Sequence, residues 1–472
     1  MAPVEEVRVC RFCGHIDPAQ HTGKCESCGS FTGFVICSHQ EAETLRRERQ
    51  RSRGRRGLQY ALLGLVLLAG MTAWIMYVIF DQGIDPPPAT TRMSASVEPH
   101  TWAQVRRTPQ NSGFTSDTAP YPQRIAWTYR TDKRLLASPA VVENHVYLTT
   151  EDGRTVALDR QTGQPVWAYP NGGPSSSTPA VAGNHLIVAM RTGRVVALER
   201  HTGERLWQAD FEKSILASPV VVDGTVYLGV GDWRLYALDA ATGQQRWALA
   251  TNDWVVSAVA YADNRIIVSS QKSRIQVVDT DSGRERFLYD TGLGRHIVAS
   301  VAIQGDRAYF GSRYGRVWAI DWRTNRYPME RALLLWKTNL FAWGLLAKPP
   351  VHKGTVWSKP VEGDVTHTAA IAHQTIYVTT SLGAVVALDA ATGAQRWMTK
   401  LDHDLTSAPV IAGDAVLIGT RAGIVIGLHA HTGAVLWRFR TEGEISASPI
   451  VTGDTMYVAS HDGVLYAVTS LE

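Results

Sequence analysis

Along most of the chain, hydrophobic and polar positions alternate in short runs rather than in helical turns. One stretch reads Ser138-Pro139-Ala140-Val141-Val142, His145-Val146-Tyr147-Leu148, Thr155-Val156-Ala157-Leu158-Asp159 and Gln164-Pro165-Val166-Trp167-Ala168, with Asp152-Gly153 and Thr162-Gly163 between runs. Runs of this length bounded by Gly-containing turns predict four antiparallel strands. The unit recurs, and a closing aromatic makes its period visible. Trp127, Trp167, Trp207, Trp247, Phe287, Trp336, Trp397 and Trp437 follow one another at 40 residues, apart from two intervals of 49 and 61. Four short strands per 40 residues predict a β-propeller, not a helical array. The first strand of each unit is built from Ser, Ala, Pro and Val, small enough to crowd around an axis. The last carries the aromatic, which suits the widening wedge between neighbouring blades as a docking residue.

Closure of the ring follows from counting. The strand around Trp127 has no partners before it, and the final unit, running from Ser448-Pro449-Ile450-Val451 through Val464-Leu465-Tyr466-Ala467, has no closing strand after it. Pairing these two would leave no radial gap, so the pattern predicts eight blades over 124–472.

The pattern changes upstream. Residues 58–80 are 23 consecutive uncharged positions, long enough to cross a bilayer as a helix. Seven arginines (Arg46, Arg47, Arg49, Arg51, Arg53, Arg55, Arg56) precede them, and Asp81 and Asp85 follow. The positive-inside rule then places the N-terminus in the cytoplasm and the propeller outside, as in a single-pass protein of a bacterial inner membrane with a periplasmic domain. Residues 41–57 read as a basic juxtamembrane segment. Residues 81–123 read as a linker and lead-in, stiffened by Pro86-Pro87-Pro88.

Cysteine usage agrees with two compartments, since all five cysteines fall within the first 37 residues. Cys10-Arg-Phe-Cys13-Gly and Cys25-Glu-Ser-Cys28-Gly are two knuckles that can bring four thiolates around one ion. Residues 1–40 are therefore expected to form a zinc ribbon with Cys10, Cys13, Cys25 and Cys28 as ligands. A fragment this small draws its folding free energy from the metal, and four ligands fill the coordination sphere, so the zinc is structural. Charge adds one exclusion. Residues 1–57 hold ten Lys and Arg against seven Asp and Glu, which leaves the rest near neutral, and no nucleic-acid surface is expected on the propeller.

The motif Ala157-Leu158-Asp159-x-x-Thr162-Gly163-x-x-x-Trp167, repeated at 237–247 and 387–397, resembles the tryptophan-docking motif of the pyrroloquinoline-quinone (PQQ) repeat. That family contains quinoprotein dehydrogenases and cofactor-free propellers such as the BamB-type assembly proteins. The resemblance implies an all-β, eight-bladed fold over 124–472, with a family-like lead-in from Trp102. In the dehydrogenases it also implies a disulfide of adjacent cysteines beside the quinone, and the propeller region here has no cysteine. PQQ and catalysis are therefore not expected, although Asp253, Trp254, His296, Asp402 and His403 lie on connections between blades. Asp159, Asp239, Asp279, Asp321 and Asp389 recur at one blade position, with Glu199 and His429 as substitutes, as turn-building residues do.

The resemblance thus implies an interaction scaffold for envelope or membrane proteins, which the 58–80 stretch would anchor in the membrane, a departure from the BamB-type proteins. Two alternatives are a transmembrane sensor reporting through the ribbon and, less favoured, a PQQ-dependent dehydrogenase. One departure from the repeat stands out: residues 325–368 carry Leu333-Leu334-Leu335 and then Phe341, Trp343, Leu345 and Leu346. Part of this is expected to form a closing strand around Trp336. The remainder is an apolar excursion that either covers the propeller or contacts a partner or membrane.

Overall fold

The computed structural model describes residues 6–11, 15–18, 23–25, 32–80, 89–251, 253–271, 273–291, 296–324, 330–347 and 350–471. It divides into two units, 1–82 and 83–472. In the first, strands Glu6–Cys10, Ile16–Pro18 and Phe34–Ser38 form an antiparallel sheet with Glu6–Cys10 in the middle. Val7, Val9 and Ala42 make a core too small to sustain a fold alone. Ser38 caps the next helix. Its hydroxyl accepts the Glu41 amide while the Glu41 carboxylate accepts the Ser38 amide, a reciprocal box that satisfies end groups a helix leaves open. The helix, α1 (His39–Phe80), contains the basic segment and the whole uncharged stretch. Among the described residues no helical stretch is long and apolar enough to cross a membrane. The side chains at 49–58, 61 and 73–80 lie outside that description, while Leu62, Leu63, Leu65, Val66, Leu67, Leu68 and Met71 are exposed.

In the second unit the alternating runs pair as expected into sheets of four antiparallel strands, eight of them among the described residues, one of which gains a fifth, parallel strand from Phe114–Thr115. In chain order their first strands are Ala140–Val142, Ala180–Ala182, Val220–Val222, Ala260–Ala262, Ala302–Gln304, Ala370–Ala372, Val410–Ala412 and Ile450–Thr452, and these define blades 1 to 8. The final blade takes its fourth strand from Arg124–Arg130, with Trp127 opposite Ala467, so the ends of the propeller close on each other. Buried Val, Ile, Leu and Ala of adjacent sheets form continuous cores, one of them spanning the closure with Trp127, Trp437, Val458 and Leu465. Antiparallel hairpins put the turns between strands 1–2 and 3–4 on one face. The turns between strands 2–3 and the connections to the next blade lie on the opposite face.

Two expectations change. Residues 89–118 are not a free linker. Each first strand exposes an amide edge toward the axis, and the lead-in satisfies these edges in turn. Trp102 exchanges both backbone bonds with Val141 (2.7 and 2.9 Å), and Ala103, Pro109, Gln110, Ser112 and Gly113 accept the amides of Val181, Tyr261, Ile303, Ile371 and Ile411 at 2.7–2.8 Å. The Val221 amide is taken by the Gln104 side chain, and in blade 8 Asp117 accepts the Gly453 amide. An open strand edge is costly when buried, so a segment without periodicity becomes ordered chiefly by bonding the backbone edges it passes.

The second change concerns blade 5, whose fourth strand is Thr355–Pro360. Trp336 lies instead on a helix, α2 (Glu330–Ala342), inserted between the third and fourth strands. Glu, Arg, Ala and Leu favour a helix there, and no Thr-Gly turn precedes Trp336 to start a strand.

Candidate binding faces of the propeller

The recurrent residues build the corners. The Asp159 carboxylate accepts the Gln161 and Thr162 amides and the Thr162 hydroxyl, and Asp239, Asp279 and Asp389 repeat this arrangement. Even His429 accepts, through Nδ1, from the amide of His431. Such bonds favour the ionised form. The Thr162 hydroxyl holds Asp159 below the ordinary carboxylate value, and Arg396, then Thr392, hold Asp389 down to about 2.

Each corner receives a tryptophan from the preceding blade. The indole N–H groups of Trp127, Trp167, Trp207, Trp247 and Trp397 donate to the carbonyls of Arg160, Arg200, Ala240, Thr280 and Ala430 at 2.7–3.0 Å. The ring covers the turn glycine so closely that a Cβ on Gly163 would lie 2.5 Å from Trp127, and that glycine also has φ +70. Phe287 is fully buried without a donor and packs against Gly354, and Trp437 is buried in the closing core. Trp336 does not take this position. Trp357 does, 8% exposed and donating to Ala390, whereas Trp336 is 58% exposed. The signal was present, since Trp357 stands 40 residues before Trp397.

At the axis, Arg106 is buried and donates to Pro409 and Ala369, tying blades 7 and 6 together. Burial lowers its pKa to about 9, and burial also pushes His367 down to about 4, so His367 is neutral near pH 7.

The opposite face has a different surface. A cleft of about 350 Å³ is lined by Thr366, His367, Asp404, Thr406, Arg421 and Glu444 among others. In the cleft Arg421 lies 3.7 Å from Asp404, and elsewhere on this face Arg134 and Arg191 both reach Glu151. Asp253, Trp254, His296, Asp402 and His403 all fall on connections at this face. In blade 8, Ser446 Oγ lies 2.7 Å from His461 Nε2, while Glu444 is 3.8 Å from Nδ1. That last separation is longer than the hydrogen bond that orients a catalytic imidazole, so this group is suited to polar binding.

Large apolar side chains also stand on this face: Trp233, Tyr314 and Leu382 at the turns between second and third strands of blades 3, 5 and 6, and Trp254 on the connection from blade 3. Trp233 has φ +67 at a position where blades 1 and 2 place Gly153 and Gly193. A bulky residue in the left-handed region is strained, and here an indole is displayed at that cost. Reading the sequence missed it, although Gly-Asp-Trp-Arg in place of Asp-Gly-Arg was visible.

Of the expected partner-contact residues, Phe341, Trp343 and Leu345 are exposed and Leu346 is half-buried. Of the expected zinc ligands, Cys10 and Cys25 are buried, and Cys13 and Cys28 lie outside the described residues.

A family model described as outer membrane protein assembly factor BamB matches residues 121–209, 191–335 and 347–472. The chain belongs to this family. No curated protein gives a significant sequence match. Among solved structures, the BamB-type propeller resembles BamB from Moraxella catarrhalis at TM-score 0.60 and 20% identity, over 73% of this chain and 97% of that one. It also resembles a europium-containing methanol dehydrogenase (TM-score 0.63, 16% identity, 77% and 90% covered). A third likeness is to the quinohemoprotein alcohol dehydrogenase of Comamonas testosteroni (TM-score 0.62, 14% identity, 79% and 81% covered). At these identities the likeness is one of fold, and it includes enzymes as well as BamB.

Proposed function

We propose that this BamB-type propeller is a protein-interaction scaffold of the cell envelope, and that its partner docks on the face bearing Trp233, Trp254, Tyr314 and Leu382. The observation that carries this reading is the strained, half-exposed Trp233 within a group of exposed apolar residues. Such anchors rimmed by paired charges are what a protein interface uses. The BamB description of the matching family supports the same reading.

In this proposal α1 anchors the chain through 58–80 in a bacterial inner membrane. The basic segment 41–57 is then cytoplasmic and the propeller extracytoplasmic. Cys10, Cys13, Cys25 and Cys28 hold a structural zinc on the cytoplasmic side. Burial of Cys10 and Cys25 beside a core of three small side chains fits a unit that needs a metal to fold. The role assigned is non-catalytic, because the region 124–472 contains no cysteine for the quinone-flanking disulfide of the dehydrogenases.

Crosslinking in intact cells tests the scaffold. A wild-type chain should capture a defined envelope protein, and W254A with Y314A should lose it while remaining folded; capture unchanged in that variant would sink the docking face. A sensor in which the ribbon reports propeller binding is the second reading, favoured by the ribbon and propeller lying on either side of 58–80. Replacing the knuckle cysteines by serine should leave envelope function intact in a scaffold and abolish output in a sensor.

A further inference from the structure

Helix α2 is hard to explain as part of a water-soluble propeller. Thirteen residues are marginal as an isolated helix in water, and a run of leucine, tryptophan and phenylalanine on a helix is normally covered. Yet Leu333, Leu335, Trp336 and Phe341 are exposed, and Gly344 ends the helix in open space, turning the chain so that Trp343 (71% exposed) and Leu345 (68%) stand outward too. The insertion therefore does not lie as a flap on the propeller.

Its placement and composition identify what covers it. Joining strands 3 and 4 of blade 5, α2 lies on the face of the 1–2 and 3–4 turns. On this same face the chain first meets the propeller, where Thr90 donates to Asp239 at the 3–4 corner of blade 3 and Met93 accepts from Gly224 at its 1–2 turn. Only residues 81–89 separate Thr90 from the end of the 58–80 stretch, a tether spanning at most about 36 Å when extended. Between 330 and 353 the insertion carries four basic residues, Arg331, Lys337, Lys348 and Lys353, against one acid, Glu330. Tryptophan, phenylalanine and leucine flanked by Lys and Arg are the residues of a membrane interface.

We propose that α2 and the segment after it, through Trp336, Phe341, Trp343 and Leu345, insert into the headgroup region of an anionic bilayer, seating this face of the propeller on the membrane. This rests on the membrane anchoring proposed above and adds a second, independent contact with lipid.

Tryptophan quenching tests it. The full-length chain is reconstituted into vesicles of phosphatidylcholine and phosphatidylglycerol with and without brominated acyl chains, as wild type, W336F/W343F and W74F. Trp74 lies within 58–80 and reports on the anchor separately. The quenched part of the emission should fall roughly threefold in W336F/W343F, because two of the three tryptophans placed at lipid are gone. Quenching equal to wild type in W336F/W343F would overturn the inference and hand α2 to a protein partner. Protection of the same tryptophans in detergent, with a doubled mass, would overturn it in favour of a second copy. If W74F matches wild type while the W336F/W343F difference persists, the anchor reading fails and this one stands.

Discussion

Two aperiodic stretches lie on the same face of the propeller and meet opposite fates. The lead-in from Thr101 to Thr115 is mostly buried, with Trp102, Gln104, Arg106 and Asn111 almost inaccessible, whereas the insertion carrying Trp336 and Trp343 is exposed. Neither has a hydrophobic period. What separates them is what each finds within reach. The lead-in passes seven inward-facing first-strand edges around the axis, bonds to each and reaches blade 8 at its 1–2 turn, while the insertion leaves an outer corner where the open edge of the fourth strand faces solvent. Burial of an irregular segment is decided by unsatisfied backbone nearby, not by its own composition.

The largest expected effects test the buried side. Trp102→Ala should cost about 3–5 kcal/mol in denaturant unfolding, as for other buried aromatics, and a loss below ~1 kcal/mol would mean that the lead-in merely rests on the ring. The two tryptophans of blade 5 sharpen the contrast. Trp357→Ala should cost about 3–5 kcal/mol, and Trp336→Ala in detergent within ~0.5 kcal/mol. Equal costs would restore Trp336 as the docking residue.

Acid titration probes the corners behind both stretches. Asp389, ordinarily near 3.8, sits at about 2 in the folded chain, so its contribution is present above the ordinary value and lost as pH falls toward 2. Unfolding followed by fluorescence should therefore show stability declining below about pH 4, with a shallower decline in Asp389→Asn. An unchanged acid profile would remove the corner carboxylates from the stability argument. The smallest effect lies on the opposite face. Trp233→Gly should raise stability by up to about 1 kcal/mol by relieving the positive φ, while weakening partner capture. Lower stability would show that Trp233 packs for structure rather than for display.

Much of the propeller was legible. Alternation marked the strands, the 40-residue recurrence gave the blades, and the surplus of a Trp127 strand over a missing final one predicted the closure seen opposite Ala467. The corner Asp residues were read correctly as turn builders because recurrence argues against a singular chemical role. The binding surfaces were far less legible. Trp336 resembled a closing-strand residue by position, and only the pairing of Ala319 with Trp357 reveals which tryptophan docks. Trp233 looked like one aromatic among many until its φ placed it in a glycine's conformation.

The sequence by itself determined the repeat, the small-residue inner strands, the docking motif, the knuckle cysteines and the uncharged run at 58–80, because each is a local pattern that short-range sterics and solvation require. Only the tertiary structure decided that the lead-in joins every blade, that the insertion stays out as a helix, and that apolar anchors and paired charges gather on one face. Those outcomes depend on backbone edges and neighbours brought together from distant parts of the chain, which no local pattern encodes.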